Sequence, residues 1–295
     1  MGDIYFFFTS IMDLFKPLYK AHRRVAFDSL DGVFDPHAEH DKIGDYELHH
    51  EVYKCGSQWT CTQLPGLQIL TNVLTIDQQK QLIKESVVDF LVSPEHLTNL
   101  DAHYELERPI HMFAEGPVPA SSLPTGREAG KLVRDKLRWV TLGGQYNWTT
   151  KVYPSFEPGT PGCPFFPQSE TAEVSASLGM RPEAAIVNYY SEGDILSPHQ
   201  DVAELTQKDL VSISLGCACI FYIGLHRHDQ TPLPVLLRSG DTIVMGKDAR
   251  FAFHGVGRVF GNTCPSELLE NAVSDPNYSD WMGGHRININ VRQMR

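Results

Sequence analysis

The stretch NYYSEGDILSPHQDVAEL, residues 188–205, sets an imidazole, His199, and a carboxylate, Asp201, one residue apart. In an extended segment, side chains at i and i+2 point to the same side, so these two groups can grip one cation together. A third donor must come from elsewhere. The best placed is His254 in RFAFHGVGR, which reads as lying after a strand and before a glycine turn. Two histidines and one carboxylate leave three positions of an octahedral ion open, the donor set of non-haem Fe(II) oxygenases. With 13 histidines in the chain, one HxD pair carries little by itself. HRH at 226–228 is a competing pair, but its neighbours read as a solvated turn.

The segment HRININVRQMR near the C-terminal end adds a second kind of site. Ile287, Ile289 and Val291 fall on one strand face, and Arg286, Asn288, Asn290 and Arg292 on the other. A solvated strand face usually mixes Lys, Glu, Ser and Thr; this one holds only Arg and Asn. At about 3.3 Å per residue the two arginine Cα atoms are roughly 20 Å apart, so long side chains leaning inward could bracket a short dianion. The guanidinium fork donates two parallel hydrogen bonds to a carboxylate. Asn188 and Tyr190 share a face of an earlier strand and could finish that anion site. The alternatives are a polar outer face for the last strand and turn residues at 188 and 190.

These groups need a scaffold, and 295 residues are enough for a sizeable core. Asp and Glu number 36 against 25 Lys and Arg, a net charge of -11, which argues against gripping a long nucleic-acid backbone by bulk charge but leaves room for a local basic groove. Six cysteines without paired CxxC sets point to a reducing compartment. The N-terminal apolar run is short, broken by Asp13, and followed by Lys16, Lys20, Arg23 and Arg24; it reads as a helix docked on the core, with no secretory signal and no membrane span. Residues 27–66 read as an irregular extension, so the chain divides into 1–66 and a domain at 67–295. Thr75 with Gln78 predicts a capping box, and Ile76, Leu82, Ile83, Val87, Phe90 and Leu91 a helical apolar stripe behind it. Further helices are expected over 124–137 and over 168–179, the latter ended by Gly179, with a Pro/Gly-rich loop at 154–170 between them. From residue 184 the texture turns to short β-rich segments with an apparent insertion at 261–284. The class is α+β: helices first, then an antiparallel sandwich or barrel.

The order N-x-Y, HxD, a late His and R-x-N-x-x-x-R resembles the AlkB family of Fe(II)- and 2-oxoglutarate-dependent dioxygenases. LRWVTLGGQYNW, SLGCACIF, SGDTIVM and RININVRQ, with the N-terminal LFKPLYKAHR, are most similar to the eukaryotic AlkB-homologue-1 branch. The resemblance implies a double-stranded β-helix (jelly-roll) core with the N-terminal helices packed on it. It implies that His199, Asp201 and His254 bind Fe(II), that Arg286, Asn188 and Tyr190 hold the distal carboxylate of 2-oxoglutarate, and that Asn288 and Arg292 help, Arg292 near the metal and Asp201. With O2 as cosubstrate, 2-oxoglutarate would be decarboxylated to succinate and CO2, and an N-methyl group hydroxylated and lost as formaldehyde.

For the substrate, the resemblance implies an N-methylated base in DNA or RNA, in DNA repair or tRNA modification, with histones or an abasic-site lyase activity as alternatives. A base would have to be extruded and stacked on an aromatic. Trp139, Tyr146 and Trp148 lie in the segment that matches the family's nucleotide lid, about 137–170, and could equally be core aromatics. Glu204 is the acidic residue left after HxD, because Ala203 stands where the bacterial pattern has a base-contacting carboxylate. Lys131, Arg134, Lys136, Arg138 and Lys151 are expected either to border a phosphate groove or to form a solvated face. The expected compartment is the nucleus or cytoplasm, or the mitochondrion.

Overall fold

The computed structural model describes residues 13–38, 42–104, 106–113 and 129–295. The apolar run at 1–12 and the first residues of the helix expected over 124–137 lie outside them, as does the side chain of Lys131. Two antiparallel sheets stack face to face. The strands that build them are β4 (Leu67–Thr71), β5 (Trp139–Gly143), β6 (Ala184–Ser191), β7 (Leu196–His199), β8 (Leu210–Gly216), β9 (Cys219–Gly224), β10 (Leu233–Leu237), β11 (Thr242–Met245), β12 (Phe253–Val259) and β13 (His285–Arg292), preceded by β1 (Lys42–Ile43), β2 (Tyr46–Tyr53) and β3 (Gly56–Cys61). The large sheet runs β1-β2-β3-β4-β11-β8-β13-β6-β5 and the small one β10-β9-β12-β7.

From β6 onward the chain alternates between sheets except at the β9–β10 hairpin, and the neighbours β6–β13, β8–β11, β7–β12 and β9–β10 wind about each other as a jelly roll. The double-stranded β-helix implied by the resemblance is therefore the core of the molecule. Apolar side chains from both sheets, among them Ile69, Ile243, Phe221, Ile223 and Val256, meet between them. The outer face of the large sheet packs Ile287, Ile289 and Val291 beneath α2 (Ile76–Val87), α4 (Glu170–Ser177) and the short helices α5 (Ser266–Leu269) and α6 (Tyr278–Gly283) of the 261–284 insertion. The outer face of the small sheet is covered by α1 (Phe15–His22).

Local signals explain most of these elements. Thr75 accepts from the Gln78 backbone and Gln78 reaches back to Thr75, the expected capping box. Ser169 caps α4, and Gly179, at φ +79, lies two residues beyond its end. The helix expected over 124–137 is α3 (Ala129–Lys136). The extension at 27–66 departs from expectation: 42–61 form β1, β2 and β3, which lengthen the large sheet beside β4. Their pattern is faint in sequence because only Tyr46 and Leu48 of β2 are buried, leaving no full apolar alternation.

Candidate metal and cosubstrate site

The inner end of the jelly roll opens into a cavity of about 630 Å³. His199 ends β7, Asp201 follows it, and β12 brings His254 directly across from His199. The ligand atoms of these three residues lie within 4.8 Å of one another. His199 Nε2 is 3.8 Å from Asp201 Oδ1, and His254 Nε2 is 4.0 Å from Asp201 Oδ2. Each imidazole donates Nδ1–H to a carbonyl two residues back, Ser197 and Ala252, both at 3.1 Å. That fixes the tautomer and turns both Nε2 lone pairs toward the carboxylate. The set fits a hard or borderline divalent cation. His254 is not followed by a turn: Gly255 and Gly257 continue β12.

The charges are balanced by a buried network. Burial pushes Asp201 up, but the Arg292 guanidinium and the two imidazoles outweigh it and hold the carboxyl well below the usual carboxylate range. Burial pushes His254 down to about 4, and His199 beside it acts in the same direction, so the His254 Nε2 lone pair stays available to a cation near pH 7. Arg292 Nη2 donates to Asp201 Oδ2 at 2.7 Å and its Nε faces Glu204 Oε1 at 3.1 Å. Arg250 donates to the Asp201 carbonyl and to Glu204 Oε2, both at 2.7 Å, and Tyr153 to Glu204 Oε1 at 3.3 Å.

One expectation changes here. Glu204, 2% exposed on its side chain, is locked between two arginines, so it is not free to read a substrate. Arg292 lies beside Asp201, as expected, and lines the same cavity as Arg286, with two of its donors turned to Asp201 and Glu204. A single sequence cannot show this, because Arg250 comes from the 3₁₀ turn before β12 with no motif around it.

Arg286 is different. It is 2% exposed, bonded through Nη2 to Ser214 at 2.9 Å, and its Nε and Nη1 are buried without a partner. Its guanidinium carbon lies 5.3 Å from the centre of the Tyr190 ring. Buried donors without acceptors are costly, and a fork of this shape matches a carboxylate. The donors present fit one carboxylate of a 2-oxo dicarboxylate, and His199, Asp201 and His254 line the same cavity. Asn188 and Tyr190 line that cavity too, and burial raises the Tyr190 hydroxyl to about 12, keeping it a donor. Asn288 donates to Ser212 at 2.8 Å and to the Ile213 carbonyl at 3.1 Å, tying β13 to β8. Asn290, on the same face but outside the expected set, donates to Asp201 Oδ2 at 3.3 Å; alternation along β13 was the signal for it.

At the mouth, Trp148 (48% exposed) and Tyr146 line the cavity, their rings 4.9 Å apart and nearly perpendicular. Trp139 does not line it; its ring packs 5.3 Å from Trp148. Lys151 reaches the same mouth. Arg134 and Lys136 instead border a pocket beside His285, on the opposite face of β13 from Arg286, together with Asp135 and Asp280. The expected basic group is thus split across the sheet.

Residues 66–292 match the family described as the 2OG-Fe(II) oxygenase superfamily. The chain is 38% identical over 244 residues to a tRNA demethylase of Schizosaccharomyces pombe, covering 78% of this chain and 80% of that protein. It is 36% identical over 270 residues to an N6-methyladenosine RNA demethylase of Pyricularia oryzae (79% and 75%). It is 32% identical over 266 residues to a DNA N(6)-methyladenine demethylase of Arabidopsis thaliana (78% and 75%).

Proposed function

Because the chain belongs to the 2OG-Fe(II) oxygenase superfamily, and within it to the AlkB family of Fe(II)- and 2-oxoglutarate-dependent dioxygenases, we propose that it removes methyl groups from N-methylated adenine bases in RNA or DNA. The observation that carries the cosubstrate assignment is Arg286, with two buried, unpartnered guanidinium donors in the cavity that holds the His–Asp–His cluster.

In this reading His199, Asp201 and His254 hold Fe(II). Arg292 and Asn290 bond Asp201 Oδ2, so Oδ1, the oxygen facing His199, would be the one free to hold a cation. Arg286 grips the far carboxylate of 2-oxoglutarate, and Tyr190 and Asn188 complete its seat. When bound, Fe(II), 2-oxoglutarate and O2 together supply the oxidation of an N-methyl carbon to a hemiaminal, with release of succinate and CO2; the hemiaminal then loses formaldehyde. Leu210, Phe221, Met245 and Val256 form apolar cavity wall that limits water around the reacting groups. Trp148 and Tyr146 offer ring faces on which an extruded base can stack, and Lys151 a cation for its phosphate. The acidic net charge of -11 favours a second substrate class, basic histone tails, with the same cofactors.

The test is succinate and formaldehyde release from Fe(II), 2-oxoglutarate and O2, with nucleoside mass spectrometry of treated RNA and DNA and a methylated histone peptide alongside. Wild type should deplete N-methyladenine and Asp201→Ala should not. Arg286→Lys, which lacks the fork, should raise the half-saturating 2-oxoglutarate concentration about tenfold or more. Depletion of peptide methylation alone would replace the nucleic-acid reading.

A further inference from the structure

The small sheet carries both histidines of the metal site, and its ladder is weakest where they meet. His254 faces His199 and Val256 faces Leu196, so Ser197 and Pro198 together oppose the single residue Gly255. Such a bulge loosens pairing, Pro198 has no N–H to give, and β7 is a four-residue edge strand. The ladder alone holds His199 poorly at a fixed spacing from His254.

The missing constraint comes from the opposite face of the sheet. Tyr19 of α1 reaches into the notch between β7 and β12, and its hydroxyl donates to the Leu196 carbonyl. It lies over Gly255, where a Cβ would run into both the Tyr19 hydroxyl and the Leu196 carbonyl oxygen. Tyr19 is itself braced. Its ring meets Tyr222 edge-on at 4.8 Å, and the Tyr222 hydroxyl bonds His22 Nδ1 at 2.6 Å and the Leu18 carbonyl at 3.1 Å. The Tyr222 ring fills the space that a Cβ on Gly257 would need. Phe15, fully buried, anchors the start of the helix edge-on to Phe253 at 6.5 Å. The two glycines after His254 are thus the clearance for two tyrosines that tie α1 to the back of the metal-bearing sheet.

We infer that α1 is a strut for the metal site and that Tyr19 is a positioning residue, setting the spacing of His199 from His254 through Leu196 and Gly255. This rests on the reading of His199, Asp201 and His254 as the metal ligands, and it concerns a helix outside the matched segment 66–292.

The test uses the full chain, Mn(II) as a redox-inert probe, and the absorption spectrum of the Co(II)-loaded protein as a report on ligand geometry. Tyr19→Phe keeps the ring and removes only the donor; its Mn(II) Kd should rise about fivefold, the factor one net hydrogen bond supplies, and its Co(II) bands should shift. Gly255→Ala, which displaces the tyrosine, should do the same or more. Leu82→Ala, a cavity in the core beneath α2, should lower Tm while leaving the Mn(II) Kd unchanged. If Tyr19→Phe lowers Tm but keeps the wild-type Mn(II) Kd and Co(II) spectrum, α1 is only a stabilising cover and the strut is overturned. His199→Ala separates the two levels: Mn(II) binding that survives it would overturn the ligand reading and the strut with it.

Discussion

Asp201 shows how much of a single residue's role is set by its neighbours. One oxygen accepts from Arg292 and Asn290 and lies nearest His254, the backbone carbonyl accepts from Arg250, and the other oxygen faces His199. Glu204 closes this arrangement by compensating both arginines, whose side chains are 1% and 5% exposed. Breaking one partner of such a buried set leaves charge uncompensated, at a cost of about 3–5 kcal/mol. Glu204→Gln should therefore lower Tm by several degrees and weaken metal binding, while leaving the relative turnover of differently methylated substrates unchanged. A shift in that relative turnover would restore Glu204 as a base contact. Its sequence position after HxD could not separate these roles, because its partners lie 46 and 88 residues further on, at Arg250 and Arg292.

Among the elements, β13 and α2 were the most legible. The Ile/Val and Arg/Asn faces of β13 divide as alternation predicts, one in the core under the helices and one along the cavity. The Thr75–Gln78 box starts α2 where the capping pattern places it. Loss of an N-cap hydroxyl costs about 1 kcal/mol, so Thr75→Ala should lower the denaturation midpoint by that amount. Mn(II) affinity should be untouched, since α2 packs on the outer face of the large sheet. Less legible were β1–β3, whose outward faces are polar, and the glycines of β12. In sequence HGVG reads as a turn; in the structure the missing side chains admit Tyr19 and Tyr222.

At the scale of the molecule, two sheets sandwiched between α1 and the helices of the large sheet leave several histidines in dry surroundings. His22 and His96, each 8% exposed, are pushed below the ordinary histidine value by burial. The unfolded chain binds their protons below about pH 6.5 and the folded chain resists doing so, so stability is full above that pH and is lost as pH falls through it. Thermal melts of metal-free protein should show Tm declining from pH 7 to pH 5. The decline should be shallower in His96→Gln; an equal slope would remove His96 from the account.

By itself the sequence determined the donor types, the two faces of β13, the α2 cap and an antiparallel sandwich or barrel, while the jelly roll followed only from the resemblance to the AlkB family. These are local: strand alternation, capping and ligand chemistry need only neighbouring residues. The tertiary structure decided which charges are free. It gave Arg292 and Glu204 to each other and to Asp201, left Arg286 with open donors, parted Lys151 from Arg134 and Lys136, and set Tyr19 behind His254. Pairing of buried charges depends on distances between residues remote in the chain, and those exist only once the two sheets have closed on each other.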